Sequence, residues 1–299
     1  MPSSQPGHPR AGPGGPGRGR SGHRVARTTV AALLLLSAVA YTAWVLEVVL
    51  STGLDPVQAY ISELAAEDQP LGGLFRATDL AAGLCLLAAA GTALATGRAG
   101  ASRRHRWALA GWSALALSGA ATAADSRLPL SCTPTSDEMC AARETAGLVP
   151  ATHTAHAVTS SLAMAGALAA LVSLTVAARR YRWWAPVRRF GPWLLGAELL
   201  ATGWSLASIA AFQAGHGTWA LGAGQRLQVL LVALWLGLLA LGVARSARPN
   251  PPDADGAEQC GPVDADGAEQ RGRDSGERRG RSGDERHRPP EPLPDRRPA

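Results

Sequence analysis

Residues 227–244 read LQVLLVALWLGLLALGVA, closed on one side by Arg226 and on the other by Arg245. The run holds no charge and no proline. A helix crosses about 30 Å of hydrocarbon with about 20 residues, so this run is just long enough to span. Lipid offers no partner to a backbone amide, so each group must be satisfied within its own segment, and the run is read as a helix. Five more stretches have the same character: 28–50, 72–95, 107–124, 155–178 and 190–212. The pattern predicts an all-α fold, a polytopic bundle of six transmembrane helices over residues 25–245. Alanine and glycine are abundant throughout, which suits close helix–helix approach.

Outside these stretches the chain changes character. Over 299 residues it is 46% hydrophobic and 17% charged, averages that would suit a soluble protein. They mix an apolar middle with two polar ends. Residues 1–24 are mostly Gly, Pro, Ser and Arg, and residues 246–299 mix Arg with Asp and Glu. Neither can bury enough surface to offset its ordering entropy, so both are expected to be disordered. DADGAEQ occurs twice in the second tail, at 253–259 and 264–270. Its DxD start lacks the remaining ligands of a calcium loop. All 29 basic residues are arginine, which reflects GC-rich coding and does not indicate a nucleic-acid partner.

The position of the arginines carries the topology. Arg10, Arg18, Arg20, Arg24 and Arg27 precede the first stretch. Arg98, Arg103, Arg104 and Arg106 lie between the second and third, and Arg179, Arg180, Arg182, Arg188 and Arg189 between the fourth and fifth. The alternate connections carry acids: Asp55, Glu63, Glu67 and Asp68, then Asp137, Glu138 and Glu144. The positive-inside rule places both termini in the cytoplasm and the acidic loops outside. Trp107, Trp183, Trp184, Trp193 and Trp219 fall where an aromatic belt would lie. Ala38-Val39-Ala40 has the look of a signal-peptide cleavage site, but the apolar run continues to Leu50, so the first stretch is read as a retained span.

Cys132 and Cys140 share the second acidic connection. In an oxidising compartment this spacing predicts a disulfide. Free thiols or a metal pair are the alternatives, the latter usually with tighter CxxC spacing. Cys85 is read as an apolar filler and Cys260 as a reduced thiol.

Charged groups inside or beside spans are costly and call for a role. Glu47, Asp79, Asp125, His153, His156 and Arg226 all fall toward the acidic-loop end, with Ser62 and Glu63 in the first acidic connection. Glu198 lies deeper. Arg226 is the natural counter-charge for Asp79 or Glu47. His153 and His156 share one helix face. With Asp125 they could chelate zinc and activate water, as in a metal-dependent membrane lipid hydrolase. The alternative is that the histidines are structural, paired to loop carbonyls or carboxylates. No P-loop, GxGxxG or GxSxG motif is present.

The segment 60–70, YISELAAEDQP, followed by LFRATDLAAGLCLL, resembles the signature of a bacterial and archaeal six-helix membrane family, catalogued as domain of unknown function 998. Asp125, Pro129, Cys132, Cys140, His153 and His156 fit the same pattern, with Leu128-Pro129 in place of an aromatic-Pro pair. The resemblance implies an integral membrane protein and covers residues 28–243. Similarity to the alkaline ceramidase type of membrane hydrolase is looser. There a serine is followed at the fourth position by histidine, and an HxxxH pair occurs; here Ala66 follows Ser62, and the pair is HxxH. The expectation is a membrane protein whose outward-facing polar cluster binds a lipid or small ligand, with the hydrolase as alternative.

Overall fold

The computed structural model describes residues 17–97 and 105–246. The DADGAEQ repeat, Cys260 and nearly all of both tails lie outside them. Among the described residues every regular element is helical. The order is α1 (Gly17–Tyr41), short 3₁₀ turns at Ala43–Val48 and Ile61–Ala65, α2 (Gly72–Thr96), α3 (Arg106–Asp125), α4 (Glu138–Thr145), α5 (Ala151–Arg180), α6 (Ala185–Gln213) and α7 (Leu221–Arg245). Five spans are long and apolar enough to cross a membrane: Arg24–Val48, α2, α5, α6 and α7. Helix α3 is not among them, its alanines and leucines being diluted by Ser113, Ser118, Thr122 and two tryptophans.

Three features depart from the sequence expectation. Helix α1 begins at Gly17, inside the segment read as unstructured. The first span does not run as one α-helix to Leu50. It tightens at Thr42, whose amide and hydroxyl both donate to Val39 O, and continues as a 3₁₀ turn. The second acidic connection contains a helix of its own, α4, capped by Asp137, which accepts from Met139 N–H at 2.9 Å.

Helix α3 packs most extensively, between α2 and α5; α1 lies against α2 and α7, and α6 against α7. Trp112, Leu171, Leu174, Trp235, Leu236 and Leu239 are fully buried and form a tight core toward the arginine-bearing connections. Trp184, expected at an interface, is instead part of that core, edge-on to Trp112 at 6.2 Å. On the outside of the bundle Leu35, Leu36, Val39, Leu200, Leu206 and Trp193 are each more than half exposed. So many large apolar side chains facing outward would be a liability in water and is the normal surface in lipid. The apolar helices are those of a multi-pass membrane protein.

Candidate functional site

The end of the bundle that carries the two acidic loops (residues 49–71 and 126–150) and the short connection 214–220 is built differently from the core. Three sets of its polar side chains bear on function.

The first is an ion pair. Helix α7 starts close against the first connection, since a Cβ at Gly222 would sit 2.4 Å from Ala59 O and 2.6 Å from Pro56 O. That approach brings Arg226, one turn later, under the loop. Its Nε and Nη2 donate to Glu47 Oε1 and Oε2 at 2.6 and 2.7 Å, and Nη1 donates to Ala59 O and Gly222 O at 3.0 and 3.2 Å. Both side chains are about 5% exposed. A two-pronged, fully hydrogen-bonded pair is the form in which buried charge is tolerated. Of the two partners expected for Arg226, the structure selects Glu47.

The second set ties the loops together. Glu63 is fully buried and accepts from Thr135 twice, from N–H at 2.8 Å and from the hydroxyl at 2.5 Å. Cys132 and Cys140 are joined in a disulfide. His153 Nδ1 accepts from Ser131 N–H at 3.2 Å and lies 3.0 Å from the Ser131 hydroxyl, while Nε2 is 3.9 Å from Glu144. Serine, histidine and carboxylate thus stand in line, but the single lone pair of Nδ1 is already shared with the serine's own amide. The line braces the loop on α5, and Ser131 does not border the cavity described below.

Two expectations about stability arise here. Closing a loop across eight positions by a disulfide restricts the unfolded chain by about 2.5 kcal/mol, so Cys132→Ser with Cys140→Ser should lose that much in detergent unfolding. A loss below about 0.5 kcal/mol would show that Glu63 and His153 hold the loop without it. Burial pushes the Glu63 carboxyl up to about 7, with the Thr135 hydrogen bonds acting against the shift. The folded chain then holds this proton more tightly than the unfolded chain, so stability falls as pH rises from 4.5 to about 7 and is level above. Acidifying from about pH 8 to about pH 5 should therefore stabilise the protein by up to about 3 kcal/mol, and Glu63→Gln should flatten the profile. A wild-type profile that falls on acidification over this range would contradict the assignment.

The third set lines a cavity of about 450 Å³ between α1, α2, α3, α5, α6 and α7. Ser62, Asp79, Asp125 and His156 border it, whereas Glu47, Glu63, His153 and Arg226 do not. His156 Nδ1 lies 3.0 Å from Asp125 Oδ1, off-line for a directed hydrogen bond, and the Thr159 hydroxyl donates to that same oxygen. Asp79 faces the cavity, and the described residues give its carboxylate neither a hydrogen bond nor an ion pair. Arg76, one turn earlier on α2, also lines the cavity. Its Nη1 donates to Ala65 O and Ala66 O at 2.7 and 3.2 Å, and no described carboxylate pairs with it. Trp44, Phe75, Met164, Leu168, Ile209 and Val229 give the cavity apolar wall, and Ser118, Thr122, Thr202, Ser205, Gln225 and Gln228 add hydroxyls and amides to it.

The set considered for zinc is not gathered at one point. His156 stands beside Asp125, His153 turns to Ser131 and Glu144, and no group of three or more His, Cys, Asp or Glu suited to a metal occurs among the described residues. Nor does a described serine hydroxyl reach the His156 ring; Ser160 donates to the His156 backbone carbonyl and Ser161 to Ala157 O. Glu198 is buried on α6 away from the cavity lining.

The family described as Protein of unknown function (DUF998) matches residues 18–242. The chain belongs to this family. The match begins at the start of α1 and ends within the last turn of α7, so it takes in the whole helical bundle and every residue of the three polar sets. Comparison with curated proteins and with solved structures gave no match. Membership in DUF998 names no activity, which is left to be argued from the site.

Arg76 was not singled out from the sequence, although it stands inside the family-like segment. One signal was available: Arg76 and Asp79 are opposite charges three apart on a helix, hence on one face.

Proposed function

We propose that this is a six-span protein of the bacterial cell membrane, with both termini in the cytoplasm, whose outward-facing cavity binds an amphiphilic ligand, a lipid or a small molecule. Helix α3 supplies the sixth crossing. It is 20 residues long, the length a bilayer requires, and is packed on both sides by spans. With α3 crossing, all arginine-rich connections share one side and all acidic connections the other, as the positive-inside rule demands.

The observation that carries the ligand reading is that Arg76 and Asp79, two opposite charges, both border one cavity while neither forms an ion pair among the described residues. Charge left unpaired at membrane depth marks functional sites by default. Concave sites with apolar walls and few polar groups are the usual form of a small-molecule pocket. Ile209→Trp would fill the cavity from α6. Mass spectrometry of molecules co-purifying with the wild type should show an amphiphile that is lost from this variant. An unchanged profile would remove the cavity as the binding site.

A further inference from the structure

Helices α5 and α6 are joined by a short link at the arginine end, where Gly191 fits against Thr175; a Cβ at Gly191 would lie 2.8 Å from the Thr175 hydroxyl. Toward the other end residues of both helices line the cavity. There the cavity is bordered by Ser161 and Ala165 of α5 and by Leu206 of α6, and these same residues are exposed on the outside of the bundle. A residue that both lines a cavity and faces outward marks an opening, and this one lies between two apolar helices. It is flanked by Leu162 and Leu206, 42% and 62% exposed. Just inside, the Ser205 hydroxyl is buried without a partner among the described residues.

From this geometry, and resting on the cavity reading above, we propose that the ligand is a phospholipid of the outer leaflet with an amine-bearing head group, admitted sideways between α5 and α6. A water-soluble ligand would have to enter hydrocarbon to use this opening, whereas a lipid is already there. The acyl chains would lie along the slot, in contact with Leu206, Leu168 and Ile209. The head group must satisfy Arg76 and Asp79, which border the cavity together with the His156–Asp125 pair. A phosphate meets the free donors of the Arg76 guanidinium, since only Nη1 is taken by backbone carbonyls. A primary ammonium meets the Asp79 carboxylate. Phosphatidylglycerol offers the phosphate and lacks the cation.

The test reconstitutes the full chain in nanodiscs holding equal parts of phosphatidylethanolamine, phosphatidylglycerol and phosphatidylcholine, then reads retained lipid by native mass spectrometry. One charge-assisted contact corresponds to about tenfold selectivity, so phosphatidylethanolamine should be retained about tenfold over phosphatidylglycerol. Asp79→Asn should abolish the preference while lipid is still retained. Ala165→Trp, which plugs the slot, should lose lipid of every kind. Leu200→Trp, on the same lipid-facing surface but away from the slot, should match the wild type. Equal retention of all three lipids by the wild type overturns the head-group assignment and leaves the cavity reading standing. Undiminished retention by Ala165→Trp overturns lateral entry. Retention of no lipid by folded wild type overturns this proposal, while the Ile209→Trp comparison still decides whether another amphiphile uses the cavity. Should Asp79→Asn fail to fold, the wild-type head-group ratio decides alone.

Discussion

Arg226→Ala is expected to destabilise the protein by about 3–5 kcal/mol, the largest effect of any single charge removal. The substitution strands the Glu47 carboxylate, about 5% exposed, with no cation beside it, and takes donors from Ala59 O and Gly222 O. Glu47→Ala strands the guanidinium in the same way. Most of either loss is the cost of a buried charge without its partner. The double variant Glu47→Leu with Arg226→Met removes both charges and keeps the volume, so it should stand much closer to the wild type than the sum of the single variants. Denaturant unfolding in mild detergent of the wild type, Glu47→Leu, Arg226→Met and this double variant measures all four corners of the cycle. Should Arg226→Ala fall within about 1 kcal/mol of the wild type, the pair would be behaving like one at a wet surface, and the site would be open to water.

The same pair shows what a sequence can and cannot convey about such a protein. Arg226 needed a counter-charge because lipid tolerates no lone cation, and that requirement was readable from its position beside residues 227–244. Which acid supplied it was not readable. The choice turns on the 3₁₀ tightening after Thr42, a rotation that no hydropathy pattern records. Depth along a span follows from counting residues; direction around a helix does not, unless a neighbour is known. Glu63 illustrates this. It was grouped with Asp79, Asp125 and His156 because all lie at one end, yet its side chain points to Thr135 and leaves Ser62, its neighbour, to border the cavity. His153 and His156 share a helix face as their spacing required, but small differences in depth give them different partners, the loop for one and Asp125 for the other. The disulfide was legible because two cysteines in one short loop have little choice of partner. Helix α4 was not, because its eight residues, EMCAARET, carry too few large apolar side chains to announce a helical period.

At Gly83 and Gly119 even a methyl side chain should destabilise the protein. They face each other where α2 crosses α3. A Cβ on Gly83 would lie 2.6 Å from Ala123 N and 2.8 Å from Gly119 O; one on Gly119 would lie 2.6 Å from Leu87 N and 2.8 Å from Gly83 O. These obstacles are backbone atoms, so no rotamer change relieves them and the helices must separate. Close approach over small residues is a main source of helix association in a bilayer, where apolar burial drives little. Gly83→Ala and Gly119→Ala should each destabilise by about 1–3 kcal/mol, and the valine variants should fail to accumulate as folded protein. The control is internal. Gly91 on α2 and Gly237 on α7 have nothing within 4 Å of an added Cβ, so alanine there should be neutral or stabilise by up to about 1 kcal/mol. Opposite signs for the same chemical change isolate the crossing from helix propensity; equal signs at Gly83 and Gly91 would refute it. The crossing also reaches the cavity. Gly83 lies one turn after Asp79, and its contact Ala123 lies two residues before Asp125, so the approach of these two helices sets the spacing of the acidic groups that a ligand would meet. Any alanine variant at Gly83 or Gly119 that still folds should therefore show weakened lipid retention, whereas Gly91→Ala should not.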